Sequence, residues 1–199
     1  MGATIYIEGG GDAKDLHVAC RKAFRSLLEK LGFAGRMPRL VACGSRNDAY
    51  DDFCTAHMNT AGKYIALLVD SEDALHDEYR TWNHLYTRDG WIRPVGADDE
   101  QILFMTTCME TWIAADRQAL HNFFGQCLQE SALPALLNIE KKNRHDVQKA
   151  LENATGRCKK KYKKGNISFE LMQKVAPATI HSDALPSFRR MVDVLEQRL

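Results

Sequence analysis

The chain has no CxxC pair, no HExxH motif and no uninterrupted apolar run longer than Tyr64 to Val69. Each absence excludes something. Six cysteines without paired spacing (Cys20, Cys43, Cys54, Cys108, Cys127, Cys158), several of them inside apolar periodicity, are expected as reduced core thiols rather than disulfides or a zinc knuckle. Scattered histidines such as His17 read as partly buried or surface side chains rather than ligands. A membrane helix needs about 20 apolar residues, and Met1-Gly2-Ala3-Thr4 carries no basic signal region. A cytoplasmic protein with no membrane partner is therefore expected. Contents of 45% hydrophobic and 27% charged residues exclude disorder, a collagen repeat and a small disulfide-stapled scaffold. The 199 residues fit one domain, or one domain with an appendage.

Positive charge is also in short supply outside one segment. Residues 141–165 hold 10 Lys+Arg against 2 Asp+Glu, whereas residues 1–140 hold 13 against 20 and residues 166–199 hold 4 against 4. An acidic body with one basic strip is expected where carboxylates gather at a metal site and a separate surface meets phosphates. A solvated lysine run is the plainer alternative.

What is present is a strand–helix alternation. Ala3–Glu8 reads as a strand running into Gly9-Gly10-Gly11, and a helix capped by Asp12 follows, with Leu16, Cys20, Phe24, Leu27 and Leu31 at helical spacing until Gly32. Arg39–Cys43 reads as a second strand, Gly44-Ser45 as a turn, and 47–59 as a helix with Tyr50, Phe53, Cys54 and Met58 on its inner face. Lys63–Val69 suits a central parallel strand buried on both faces. After a polar stretch over 77–96, Gln101–Thr106 supplies a fourth strand and Glu110–Phe124 a helix. The pattern predicts an α/β fold with a mostly parallel sheet of about four strands and flanking helices over residues 1–130. Residues 131–199 read as a helical C-terminal extension, packed on the sheet, with helices over 145–153, 168–175 and 185–199 and a basic loop over 156–165.

Ligands of such sheets bind at the carboxyl ends of the strands, and acids gather there. Glu8 ends the first strand, Asp70 ends the third, and Glu72 and Asp73 follow. Adjacent strands lie about 4.8 Å apart, close enough for these side chains to share one ion. An oxygen-only donor set favours Mg²⁺ or Mn²⁺ over zinc. Acids that merely end strands in turns are the alternative. GGGDAKD lacks the GK[ST] ending of a triphosphate cradle and the third glycine of a dinucleotide loop. Glu110 is a further candidate ligand. Asp116 is expected to cap a local turn, and Trp112 to lie in the core. Arg46 could grip a phosphate or neutralise the crowded acids. Arg157, Lys159, Lys160, Lys161, Lys163 and Lys164, with Tyr162 among them, suit a flexible strip following a nucleic-acid backbone.

IYIEGGGD and ALLVDSED resemble the two signatures of the TOPRIM fold, a glutamate after the first strand and an aspartate-x-aspartate pair after a later one. Together with VACGSR, CMETWIAAD and KKYKKGNISFE they resemble, over nearly the whole chain, a small bacterial TOPRIM-like family catalogued as a domain of unknown function. Members are commonly encoded beside ABC-type or AAA-type ATPases, in a manner similar to the overcoming-lysogenisation-defect nucleases of phage defence. The resemblance implies that Glu8 is a metal ligand or general acid/base, Asp70 the first metal-binding aspartate, and Lys164 or Lys163 a stabiliser of charge on the scissile phosphate. Glu72 stands where the motif usually has its second aspartate, so Glu72 or Asp73 takes that place. Glu110 would complete a second metal position.

The expectation is a Mg²⁺- or Mn²⁺-dependent nuclease acting on DNA or RNA, the effector of an anti-phage system with a partner ATPase. A catalytically weak module that docks and regulates that ATPase is the rival. A response-regulator-like pocket phosphorylated on Asp70 is a third reading, which leaves the basic strip unexplained.

Overall fold

The computed structural model describes residues 2–180 and 184–199. Four parallel strands, β1 (Thr4–Gly10), β2 (Arg39–Gly44), β3 (Ile65–Asp70) and β4 (Ile102–Met105), form one sheet in the order β2-β1-β3-β4. The strand–helix alternation thus gives the expected α/β sheet with its helices flanking. β3 is buried at all six positions, and its side chains divide by strand periodicity. Ala66 and Leu68 join the core on one face, and Ile65, Leu67 and Val69 join that on the other.

The first face is covered by α1 (Lys14–Lys30) and by helices from the second half of the chain: α4 (Met109–Ala115), α5 (Arg117–Phe124), α6 (Arg144–Ala154), α7 (Asn166–Met172) and α8 (Pro186–Arg198). Val147, Leu151, Phe169, Met172, Met191 and Leu195 share one core with Ile5, Ile7 and Phe24, so residues beyond 131 complete the sheet's cover. The other face is covered by α2 (Arg46–Asn59) and α3 (Thr81–Asp89).

Several local expectations are corrected. α1 starts after Ala13 with no side-chain cap, so Asp12 does not cap it. Met58 is 71% exposed rather than inward-facing. The polar stretch after β3 contains α3, whose Trp82 and Leu85 are buried over the α2 side of the sheet. The single helix expected over 110–124 is two, because buried Asp116 breaks it and caps α5 by accepting the Ala119 N–H at 2.9 Å. Asp116 also accepts the Ala176 N–H at 2.8 Å, which joins this break to the segment after α7. Cys127 and Cys158 are joined by a disulfide, whereas Cys20, Cys43, Cys54 and Cys108 are free. No helix among the described residues is long and apolar enough to cross a membrane.

Strand order sets the position of the site. β1 leads to β2 on one side, and the chain then crosses back over β1 to form β3, so the connections diverge between β1 and β3. A crevice opens at the carboxyl ends of strands at such a switch point. Glu8 and Asp70 stand on its two sides.

Candidate metal centre

The β1–β3 register, Ile7 opposite Leu68, brings Glu8 beside the end of β3. Glu8 Oε2 accepts the Asp70 N–H at 3.1 Å and a bond from Arg46 Nη1 at 3.2 Å. Beyond Glu8 the strand bulges, with Glu8, Gly9 and Gly10 all opposite Gly44. Two glycines are required by this turn. A Cβ on Gly10 (φ 99°) would lie 2.6 Å from His17 Cδ2, and one on Gly44 (φ 83°) would lie 2.5 Å from the Gly11 carbonyl oxygen.

Asp70 is buried, and its Oδ1 accepts the Met109 N–H at 2.8 Å. Burial, reinforced by the nearby Glu8 and Glu110 carboxylates, pushes its pKa well above the ordinary aspartate value; Lys164 and the Met109 N–H pull the other way. Glu72 adopts a left-handed backbone at φ 69°, uncommon for any residue but glycine. Its N–H donates to the Thr107 carbonyl at 2.8 Å. Its carboxylate pairs with Arg88 at 2.9 Å and with Arg144. One oxygen from each of Glu8, Asp70 and Glu72 lies within 4.8 Å of the others. Acids 62 positions apart in the chain therefore meet at the rim the sequence points to.

The other candidates have different surroundings. Asp73 is outside this trio, with a side chain 69% exposed and paired to Arg88 at 3.3 Å. Glu110 is fully buried. Its Oε1 accepts the Tyr162 hydroxyl at 2.7 Å and its Oε2 a bond from Gln148 at 3.5 Å. It shares a cavity of about 280 Å³ with Glu8, Asp70, the Gly9–Gly11 turn, Lys164, Ser168 and Phe169. Arg46 is committed to the protein's own acids: it holds Asp89 through two bonds of 3.1 and 2.7 Å, reaches Glu8 and the Asp70 carbonyl, and stacks over Trp91. Burial tends to raise the pKa of Asp89, but hydrogen bonds and charge from Arg46 and Arg88 hold it below the usual range.

In the basic segment Arg157, Lys159, Lys160, Lys161, Lys163 and Lys164 are exposed. Lys160 pairs with Glu170 and sits over the Phe123 ring. Tyr162 is not part of a free strip. It is buried, with its N–H on Thr155 Oγ1 at 2.8 Å and its hydroxyl on Glu110. With Cys158 tied to Cys127, the segment is anchored at two points, with Lys159, Lys160 and Lys161 between them and Lys163 and Lys164 just beyond Tyr162.

Arg88, Asp89 and Arg144, which hold these acids in place, have no signature in the sequence. Arg88 and Asp89 end α3 ahead of the left-handed Gly90, and that C-terminal glycine is the one local signal that marks the helix. No curated protein and no solved structure matches the chain. A family model, "Domain of unknown function (DUF4276)", matches residues 7–196, and the chain accordingly belongs to that family.

Proposed function

We propose that the chain is a metal-dependent phosphodiesterase acting on nucleic acid, a TOPRIM-like nuclease that serves as effector beside an ABC- or AAA-type ATPase in anti-phage defence. The observation that carries the reading is the convergence of Glu8, Asp70 and Glu72 within 4.8 Å at the carboxyl edge of the sheet. The donor set fits a hard divalent cation: three carboxylates, among them Asp70, whose pKa is raised by burial and by the neighbouring Glu8 and Glu110 carboxylates. Glu8, Asp70 and Glu72 would hold Mg²⁺ or Mn²⁺, which when bound would supply positive charge to a phosphate and lower the pKa of a water.

The chain's own groups account for the remainder. Glu8 uses one oxygen for both Arg46 and the Asp70 N–H, which fixes its carboxylate toward Asp70. Lys164, on the same cavity wall, brings a cation to a phosphate held against Asp70. The Gly9–Gly11 turn leaves backbone without side chains on that wall. Glu110 adds negative charge beside Asp70 and strengthens the site's demand for a cation. The exposed lysines of 159–164 extend positive charge outward from it.

Purified protein with Mn²⁺ and labelled plasmid DNA or tRNA tests the proposal. Chelator-sensitive cutting, reduced about 10²- to 10⁴-fold by Glu8→Gln, supports it. One observation favours the rival reading of a docking module: Arg46, Arg88 and Arg144 already neutralise Glu8 and Glu72. No cutting even with the partner ATPase present supports that reading.

A further inference from the structure

A second group of cations stands on the Glu72 side of the site. Lys141, Lys142 and Arg144 precede or open α6, separate in sequence from the basic loop that carries Lys164. Three contacts tie this segment to the rim. The Glu72 N–H donates to the Thr107 carbonyl, Thr107 Oγ1 donates to the Lys142 carbonyl at 2.9 Å, and Arg144 pairs with Glu72. Lys141 and Lys142 are exposed.

Arg144 is poorly explained by the stability of its own helix. It is the first residue of α6, where a positive charge opposes the helix dipole, and Asn143 and Asp146 already supply the cap and first-turn acid. Nor does Glu72 depend on it alone, since Arg88 holds the same carboxylate and is itself fixed by Asp73 and Asp89. Arg88 is locked by three acids, whereas among the described residues Glu72 is the acid that holds Arg144, whose side chain is 31% exposed. A guanidinium at the edge of a cation site, resting on one of that site's acids, has the chemistry to exchange that carboxylate for a phosphate.

We propose that Arg144, with Lys141 and Lys142 beside it, is a phosphodiester-binding residue of the site, resting on Glu72 in the free protein and transferring to a backbone phosphate when a nucleic-acid strand binds. The strand then crosses the carboxylates between two basic segments, Arg144 on one side and Lys164 on the other. Arg88 stays on the same Glu72 oxygen, Oε2, so the carboxylate keeps its place when Arg144 leaves. The inference rests on the nucleic-acid reading given above, but not on cleavage.

The test is binding of a fluorescein-labelled 20-nucleotide single-stranded DNA, and of the RNA of the same sequence, in chelator, where no cutting occurs. Arg144→Gln is expected to weaken binding about fivefold at low salt and to reduce the slope of log affinity against log salt by about 0.7. Glu72→Gln is expected to tighten binding several-fold, and to have no such effect in the Arg144→Gln background, because the competitor matters only while Arg144 is present. The DNA and RNA arms show which backbone is preferred. Equal affinity and salt slope for Arg144→Gln and the unmodified protein, with melting curves showing both folded, overturns the inference, as does tightening by Glu72→Gln that persists without Arg144. Intact Arg144-dependent binding with no Mn²⁺-dependent cutting leaves the inference standing and removes the nuclease reading. Cutting with Arg144-independent binding does the reverse.

Discussion

Glu140 shows how one buried carboxyl ties a distant helix to the sheet. Its Oε2 accepts the Ser187 N–H at 3.1 Å and the Ser187 hydroxyl at 2.8 Å, and that hydroxyl accepts from Thr106 at the end of β4. Burial raises its pKa from 4.5 to about 7, against the lowering effect of the Ser187 and Phe188 donors. For an acid whose folded-state pKa is raised, the native state binds the proton more tightly than the unfolded chain. Its contribution to stability is therefore fully present below pH 4.5, falls as pH rises toward about 7, and is flat beyond. The fall is about 3 kcal/mol. Glu140→Gln should flatten this part of the melting-temperature profile and raise the melting point at pH 8. An unchanged slope between pH 5 and 7 would contradict the assignment. At the same scale Glu72 combines a carboxylate of the proposed cation site with a left-handed turn that joins β3 to the end of β4 through Thr107.

At the level of elements, the basic segment is held rather than loose. The Cys127–Cys158 disulfide spans 31 positions and pins the start of the lysine run to the turn after α5, and Tyr162 pins its middle to Glu110 on α4. Closing a loop of this length stabilises a fold by about 4 kcal/mol in the chain-entropy account. Reductant, or Cys127→Ser, should lower the melting temperature by roughly 10 °C in a chain of this size, and identical melts with and without reductant would refute this role. The other thiols give no competing signal, since burial pushes Cys20 and Cys43 up to about 12 and raises Cys54 and Cys108 as well. The sheet and the trio of acids were legible because β-periodicity and strand-ending acids are local features. β3 reads as a continuous apolar run that Asp70 ends and Glu72 follows, and Glu8 lies near the end of β1, two residues before Gly10. What holds the trio was not legible. Arg88 lies in a polar stretch whose helix shows its apolar face only through Trp82 and Leu85. The Cys127–Cys158 pairing depends on how the segment after α5 meets the end of α6, where the Gln129 N–H donates to the Ala154 carbonyl, and spacing along the chain does not encode that.

Across the whole molecule, charge and topology agree. Of the acidic residues that make residues 1–140 negative, Glu8 and Asp70 meet at the switch between β1 and β3, and the cations of 141–165 arrive from two directions, through Arg144 at Glu72 and through Lys164 at the cavity beside Asp70. The helices beyond residue 131 share a core with β1 and α1, so the basic surfaces are fixed relative to the carboxylates instead of hanging on a mobile tail. On the proposed function, such an arrangement would bring a polyanion to acids that repel it unless a cation sits between them. The central claim is therefore that Glu8, Asp70 and Glu72 hold one divalent ion. Calorimetric titration with Mn²⁺ tests it most directly. The account predicts one saturable site in the unmodified protein, lost in Asp70→Asn although that variant folds. Absence of a saturable site, or Mn²⁺ binding of equal strength and stoichiometry in Asp70→Asn, would contradict it.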